Sequence, residues 1–96
     1  MEISKSDIVI SLAGHDQGKL FYVIDTDGVY ATLADGKQRR VEKPKRKKLI
    51  HVRKVLRPDS MLAEKIRSGE QILNSELRRE LAIYSREINV STKEGS

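Results

Sequence analysis

Residues 7–24 read DIVISLAGHDQGKLFYVI, and the fold turns on them. Asp7 to Ala13 is rich in β-branched residues, and Ile8 and Ile10 alternate with Val9 and Ser11, the period of a strand. Gly14 bounds that run. His15, Asp16 and Gln17 then lie between Gly14 and Gly18, which reads as a polar turn. Lys19 to Asp25 resumes as a second strand carrying Leu20, Phe21, Tyr22, Val23 and Ile24. Gly18 serves as a turn glycine free to take positive φ, and Asp16 is expected to cap the loop by accepting backbone N–H groups.

Working outward, Asp27-Gly28 is a strong hairpin signal because both residues tolerate positive φ. Val29 to Leu33 reads as a third strand, and Asp35-Gly36 repeats the hairpin signal. Lys37 to Glu42 is expected to continue as a fourth strand with Val41 facing inward. Strand alternation would put Arg39 and Val41 on one face and Arg40 and Glu42 on the other. Pro44 interrupts that run, so Lys43-Pro44-Lys45 belongs to an edge or loop. Leu49 to Val52 reads as a short fifth strand. Strand-turn units of roughly 8–10 residues predict a meander that curls into a barrel over residues 6–53.

A helical extension is predicted over residues 58–89. Pro58-Asp59 or Ser60 reads as a helix start, with Met61, Leu62 and Ile66 on one face and Gly69 as the C-terminal cap. Asn74 is the expected N-cap of a second helix, with Glu76 in its first turn. Leu77, Leu81, Tyr84 and Ile88 form one apolar stripe, whose expected role is to cover a face of the barrel. Residues 90–96 lack periodicity and are expected to fray.

Charge is distributed unevenly. Residues 37–54 hold ten Lys or Arg against the single acid Glu42, a net +9 in a chain of net charge +5. Residues 1–36 sum to −4 and residues 55–96 to zero. Such asymmetry suits a polyanionic partner, because Lys and Arg that contact phosphates release condensed counterions. As a bare charge run it would be a solvated or disordered segment. The flanking strands favour phosphate binding instead.

The 96 residues suffice for one small domain with a modest core. The absence of cysteine excludes disulfides, thiolate metal sites and cysteine nucleophiles. His15 and His51 have no companions at metal-ligand spacing, so no metal or cofactor is expected. No apolar run approaches the roughly 18–20 residues of a membrane span, and a soluble, cytoplasmic protein is expected. Enzyme readings find little support. Ser11, His15 and Asp16 are too close in sequence for a nucleophile triad, and no Gly-rich nucleotide-hydrolase loop occurs, so no small-molecule substrate is expected. Only Phe21, Tyr22, Tyr30 and Tyr84 could stack on bases, and strand position favours packing for Tyr22 and Tyr30.

The run from Asp7 to Ile24, with its Ser-Leu-Ala-Gly-x-Asp-x-Gly-Lys core, resembles a KOW motif: a strand, a polar loop ending in Gly-Lys, and a second strand. The likeness continues through Ala34-Asp35-Gly36-Lys37 and from Lys43 to His51. The ensemble is similar to small bacterial KOW-domain RNA-binding proteins and to KOW-bearing large-subunit ribosomal proteins of archaeal and eukaryotic type. That resemblance implies a mainly β fold, a five-stranded SH3-like barrel followed by one or two short helices. It also implies RNA binding, often to ribosomal RNA. In the family the first loop touches RNA, which carries over here to Gly14, His15, Asp16, Gln17, Gly18 and Lys19. His15 departs from the Arg or Lys frequent at its position, which weakens a phosphate contact at neutral pH. Pro44-Lys45-Arg46-Lys47-Lys48 also has the form of a nuclear import signal, a reading that the resemblance to bacterial proteins argues against.

These readings combine into one expectation: a non-enzymatic protein that binds structured, ribosomal RNA through phosphates and shape. Its contact set would be Gly14, His15, Lys19, Lys37, Arg39, Arg40, Lys43, Lys45, Arg46, Lys47, Lys48, His51 and Arg53. Gly18, Asp16, Gly28 and Gly36 would be structural turn residues. The alternative is an adaptor for ribosome or transcription-complex proteins, acting through the barrel rim or the Leu77 to Ile88 helix. Double-stranded DNA binding would rest on the same charges.

Overall fold

A computed structural model describes residues 2–95, with side chains described through residue 88. The chain is mainly β: a five-stranded antiparallel sheet followed by two helices. The strands are β1 (Ile8–Ser11), β2 (Leu20–Thr26), β3 (Tyr30–Ala34), β4 (Lys45–Lys48) and β5 (Val52–Leu56). A 3-10 turn, Leu49–His51, joins β4 to β5. The order across the sheet is β4-β3-β2-β1-β5, which brings the first and last strands together. The hydrogen-bonded ladder does not close into a ring, and β4 and β5 form its two edges.

The first three strands lie where the sequence places them, and the last two do not. Residues 37–42 form no strand. Asp35 Oδ1 accepts from the N–H groups of Lys37 and Arg39 (2.9 and 2.8 Å), a local turn that competes with a ladder. The Val41 N–H goes to Asn74 Oδ1 at 2.8 Å. Val41 still packs against the core, from a loop rather than a strand. The fourth strand is the basic run itself, starting just after Pro44. Lys is a poor strand former, but ladder pairing with β3 overrides propensity here. Lys-rich edge strands also discourage edge-to-edge pairing. Leu49 to His51 becomes the 3-10 turn, and the fifth strand starts only at Val52.

The sheet is buried on both faces. Ile8, Tyr22 and Ala34 lie under the helices with Leu62, Ile66, Ile72, Leu77 and Leu81. Val9, Phe21, Val23, Ala31, Leu33 and Val52 form a second core, with Ile3 and Leu49 packed against it. Alternation along each strand sends neighbouring residues to the two cores.

The first helix, α1 (Met61–Ser68), is capped as expected. Ser60 Oγ accepts from the Ala63 N–H at 3.1 Å, and Gly69 is left-handed with φ 76°. Its buried face is Leu62, Ala63 and Ile66, while Met61 points to solvent. The second helix, α2 (Asn74–Gly95), has 22 residues and continues past the expected end near residue 89. The side chains of residues 89–96, which include the 90–96 stretch expected to fray, lie outside the described residues. Asn74 does not cap α2 through its side chain. Its Oδ1 takes the Val41 N–H and its Nδ2 donates to Glu42, which latches the 35–44 loop to the helix. Glu76 Oε1 takes the Leu73 N–H instead (3.0 Å), and that bond, then Lys65, holds its carboxyl below the usual range. Leu77 and Leu81 are buried against the sheet, and Tyr84 packs beside them. No helix among the described residues is long and apolar enough to cross a membrane.

Candidate nucleic-acid interface

The β1–β2 loop is built on its own backbone bonds. The Gly18 N–H donates to the Ser11 carbonyl (2.8 Å), the Ser11 N–H to the Lys19 carbonyl (3.0 Å), and the Lys19 N–H to the Asp16 carbonyl (2.9 Å). Gly14 and Gly18 take φ of 80° and 85°, where a side chain would be strained. His15 and Gln17 stand exposed at the tip. Asp16 is buried, and its partner differs from the expected one: Oδ2 meets Arg39 Nη2 at 3.2 Å, which ties the loop to the 35–44 loop. The Arg39 Nε is buried and has no partner among the described residues.

Lys47 reaches the same loop from β4. Its Nζ donates to Ser11 Oγ (2.8 Å) and to the Ala13 carbonyl (2.6 Å), while the Ser11 hydroxyl donates to that carbonyl at 3.1 Å. The sheet therefore curls far enough for β4 to meet the end of β1, three strands away in the ladder. Arg39 and Lys47 act within the molecule, as clamps on the loop.

Beside the loop lies a cleft of about 550 Å³ against α2. Three cations from three separate segments line it: Lys19 from the β1–β2 loop, Lys37 from the 35–44 loop and Arg78 from α2. Arg78 Nη1 donates to the Gly36 carbonyl (2.6 Å), and Lys19 Nζ donates to Gln38. Asp35 also lines the cleft, but its Oδ1 is occupied by backbone N–H groups. Gly36 at φ 77° lets the chain pass so close to α2 that a Cβ there would overlap the Asn74 carbonyl oxygen.

The β4 register splits the basic run between two faces. Lys45 and Lys47 pair with Leu33 and Ala31 of the second core, whereas Arg46 and Lys48 pair with Thr32 and Tyr30. On that other face the Arg46 guanidinium stacks over the Tyr30 ring at 4.2 Å, with Lys48 Nζ 5.9 Å from its centroid. Arg46 Nη2 also meets Asp27 Oδ2 at 3.2 Å. The N–H groups of Tyr30 and then Val29 hold the Asp27 carboxyl below its ordinary range. Tyr22 is fully buried, out of reach of any base, and its hydroxyl donates to Glu80 Oε1 at 2.8 Å. Burial, then the Glu80 bond, raises its phenol above the ordinary value.

The remaining expected contact residues are dispersed. Arg40 and Lys43 are exposed on the 35–44 loop, joined by the Lys43 N–H to the Arg40 carbonyl (3.0 Å). His51 closes the 3-10 turn rather than a strand, and its carbonyl accepts the Leu12 N–H at 2.8 Å. Arg53 is exposed on β5 opposite Ile10. The structure thus brings together Gly14, Lys19, Lys37, Arg39 and Lys47 around one loop and sets Arg46 with Lys48 apart from them. Arg78 was not foreseen, since it sits on the charge-balanced polar side of a helix and carries no local signal. The Arg46–Tyr30 stack was also missed, because it needs the β4 register.

Set beside known proteins, the chain is matched by no family model and by no curated protein.

Proposed function

We propose that this chain is a non-enzymatic RNA-binding module with an SH3-like, KOW-type curled sheet. Its partner in this reading is structured RNA, ribosomal RNA first among the candidates. The β4-β3-β2-β1-β5 order and the reach of Lys47 across the sheet support the SH3-like reading. The observation that carries the function is the convergence of Lys19, Lys37 and Arg78 on one cleft beside the β1–β2 loop. Cations held by three segments keep their spacing without first paying for order, and phosphates of a folded RNA have fixed spacing too. Arg46, Lys48 and Tyr30 form a second contact surface on the outer face of β4. Phosphate contacts orient the RNA, and discrimination then comes from its shape.

Titration of binding to structured RNA against salt tests this. With about 4–6 phosphates engaged, log affinity falls against log salt with a slope of about −3 to −5. Replacing Lys19, Lys37 and Arg78 together by Ala flattens that slope by about 2–3. A flat wild-type slope discards the reading, and an unchanged slope in the triple variant misplaces the site. Competition by duplex DNA of the same sequence separates RNA from DNA binding.

A further inference from the structure

Single exposed apolar side chains are ordinary on a folded surface. Several brought side by side by the tertiary fold mark a contact, because water then faces continuous apolar area. Leu12 follows β1, Val29 belongs to the β2–β3 hairpin and Ile50 is the middle of the 3-10 turn, so no local pattern links them. The Leu49 N–H donates to the Val29 carbonyl (2.9 Å) and the Leu12 N–H to the His51 carbonyl (2.8 Å). Those two bonds pin the turn on either side of Ile50 and place it between Val29 and Leu12. The three side chains are nonetheless 44 % (Leu12), 56 % (Val29) and 75 % (Ile50) exposed.

Of the three, Ile50 also lines a cavity. Ile3, Leu49, Ile50 and Val52 supply the apolar lining of an open cleft of about 880 Å³, whose charged lining is Lys5, Arg53 and Lys54 against Glu2 and Asp25. Two cations edge the turn side, Lys48 before it and Arg53 after it, both exposed, with the exposed His51 between them. Lys54, next along, is already paired with Asp7 at 3.5 Å. Among the described residues neither Lys48 nor Arg53 has an ion-pair partner.

We propose that this strip and cleft dock a short segment of a partner protein that carries aliphatic anchors flanked by Asp or Glu. Aliphatic side chains gain by burying area, whereas bases gain by stacking on rings and guanidinium planes, and the strip has no ring. The cations along the turn select acidic residues beside the anchors. The cleft of Lys19, Lys37 and Arg78 shares no residue with this site, and Lys48 alone is common to it and the second RNA contact surface on β4.

The test is selection of short random peptides displayed on phage against the full chain, followed by calorimetry and amide NMR with one recovered peptide. The expected peptides combine aliphatic residues with Asp or Glu and shift the amides of Val29 and of Leu49 to Arg53. Ile50→Ser weakens binding by about tenfold or more, and Val29→Ser, also at a solvent-facing position, weakens it as well. Met61→Ser, at a comparably exposed site on α1, leaves it unchanged. A selection without enrichment, peptides lacking acids, shifts confined to the helices, or affinity indifferent to both Ser variants each overturns the proposal. So does a structured RNA that moves these amides while the peptide does not.

Discussion

Lys47 and Lys48 are adjacent cations on one strand, and the pleat sends their ammonium groups to different fates. Lys47 turns toward the β1–β2 loop and satisfies Ser11 Oγ and the Ala13 carbonyl. Lys48 stays on the outer face near the Tyr30 ring. Lys47→Met removes a charged donor from two acceptors, so stability falls by about 1–3 kcal/mol, read as a lower urea midpoint. Lys48→Met leaves stability within about 0.5 kcal/mol and, under the proposed RNA-binding function, instead weakens binding to structured RNA with a shallower salt dependence. Equal behaviour of the two variants in both assays contradicts this division of labour.

At the scale of the element, the β2–β3 hairpin depends on an ionised Asp27. One carboxylate oxygen takes the N–H groups of Val29 and Tyr30, and the other holds Arg46 over the Tyr30 ring. The folded-state carboxyl is depressed, so its stabilising contribution is fully present above the unfolded value. It disappears as the pH falls through the folded one. Denaturation of wild type and Asp27→Ala across pH checks this. The wild-type advantage is present at neutral pH and shrinks once the pH drops below the ordinary carboxylate range. An advantage that persists unchanged in acid refutes the link.

Across the whole molecule, one sheet serves two cores, and the helices complete the first of them. Leu77 is fully buried on α2 against residues of β1, β2 and β3. Leu77→Ala therefore costs about 2–5 kcal/mol. Because Ile8 and Tyr22 sit beside Val9 and Phe21 on the same strands, the loss is felt in both cores. Amide exchange should show β1, β2 and β3 losing protection together with α2, in one transition. Protection lost from α2 alone would mean that sheet and helices are separate cooperative units.

Much of the architecture is local in origin and could be read from the chain. β1, β2 and β3 follow from period-two alternation between Gly-containing turns, and Ser60 and Gly69 announce both ends of α1. The split of positive charge into one segment is likewise a property of composition. The fourth and fifth strands were misplaced because residues 37–42 are held by Asp35 and Asn74, the second of which lies more than thirty residues away in sequence. The basic run, unfavourable as an isolated strand, is held by the β3 ladder. Residue order could establish that the cations are concentrated, since charge is additive along a chain. Which of them face solvent, which clamp a loop and which meet Arg78 was settled only by folding, because pleat, register and helix docking are long-range constraints with no trace in neighbouring residues.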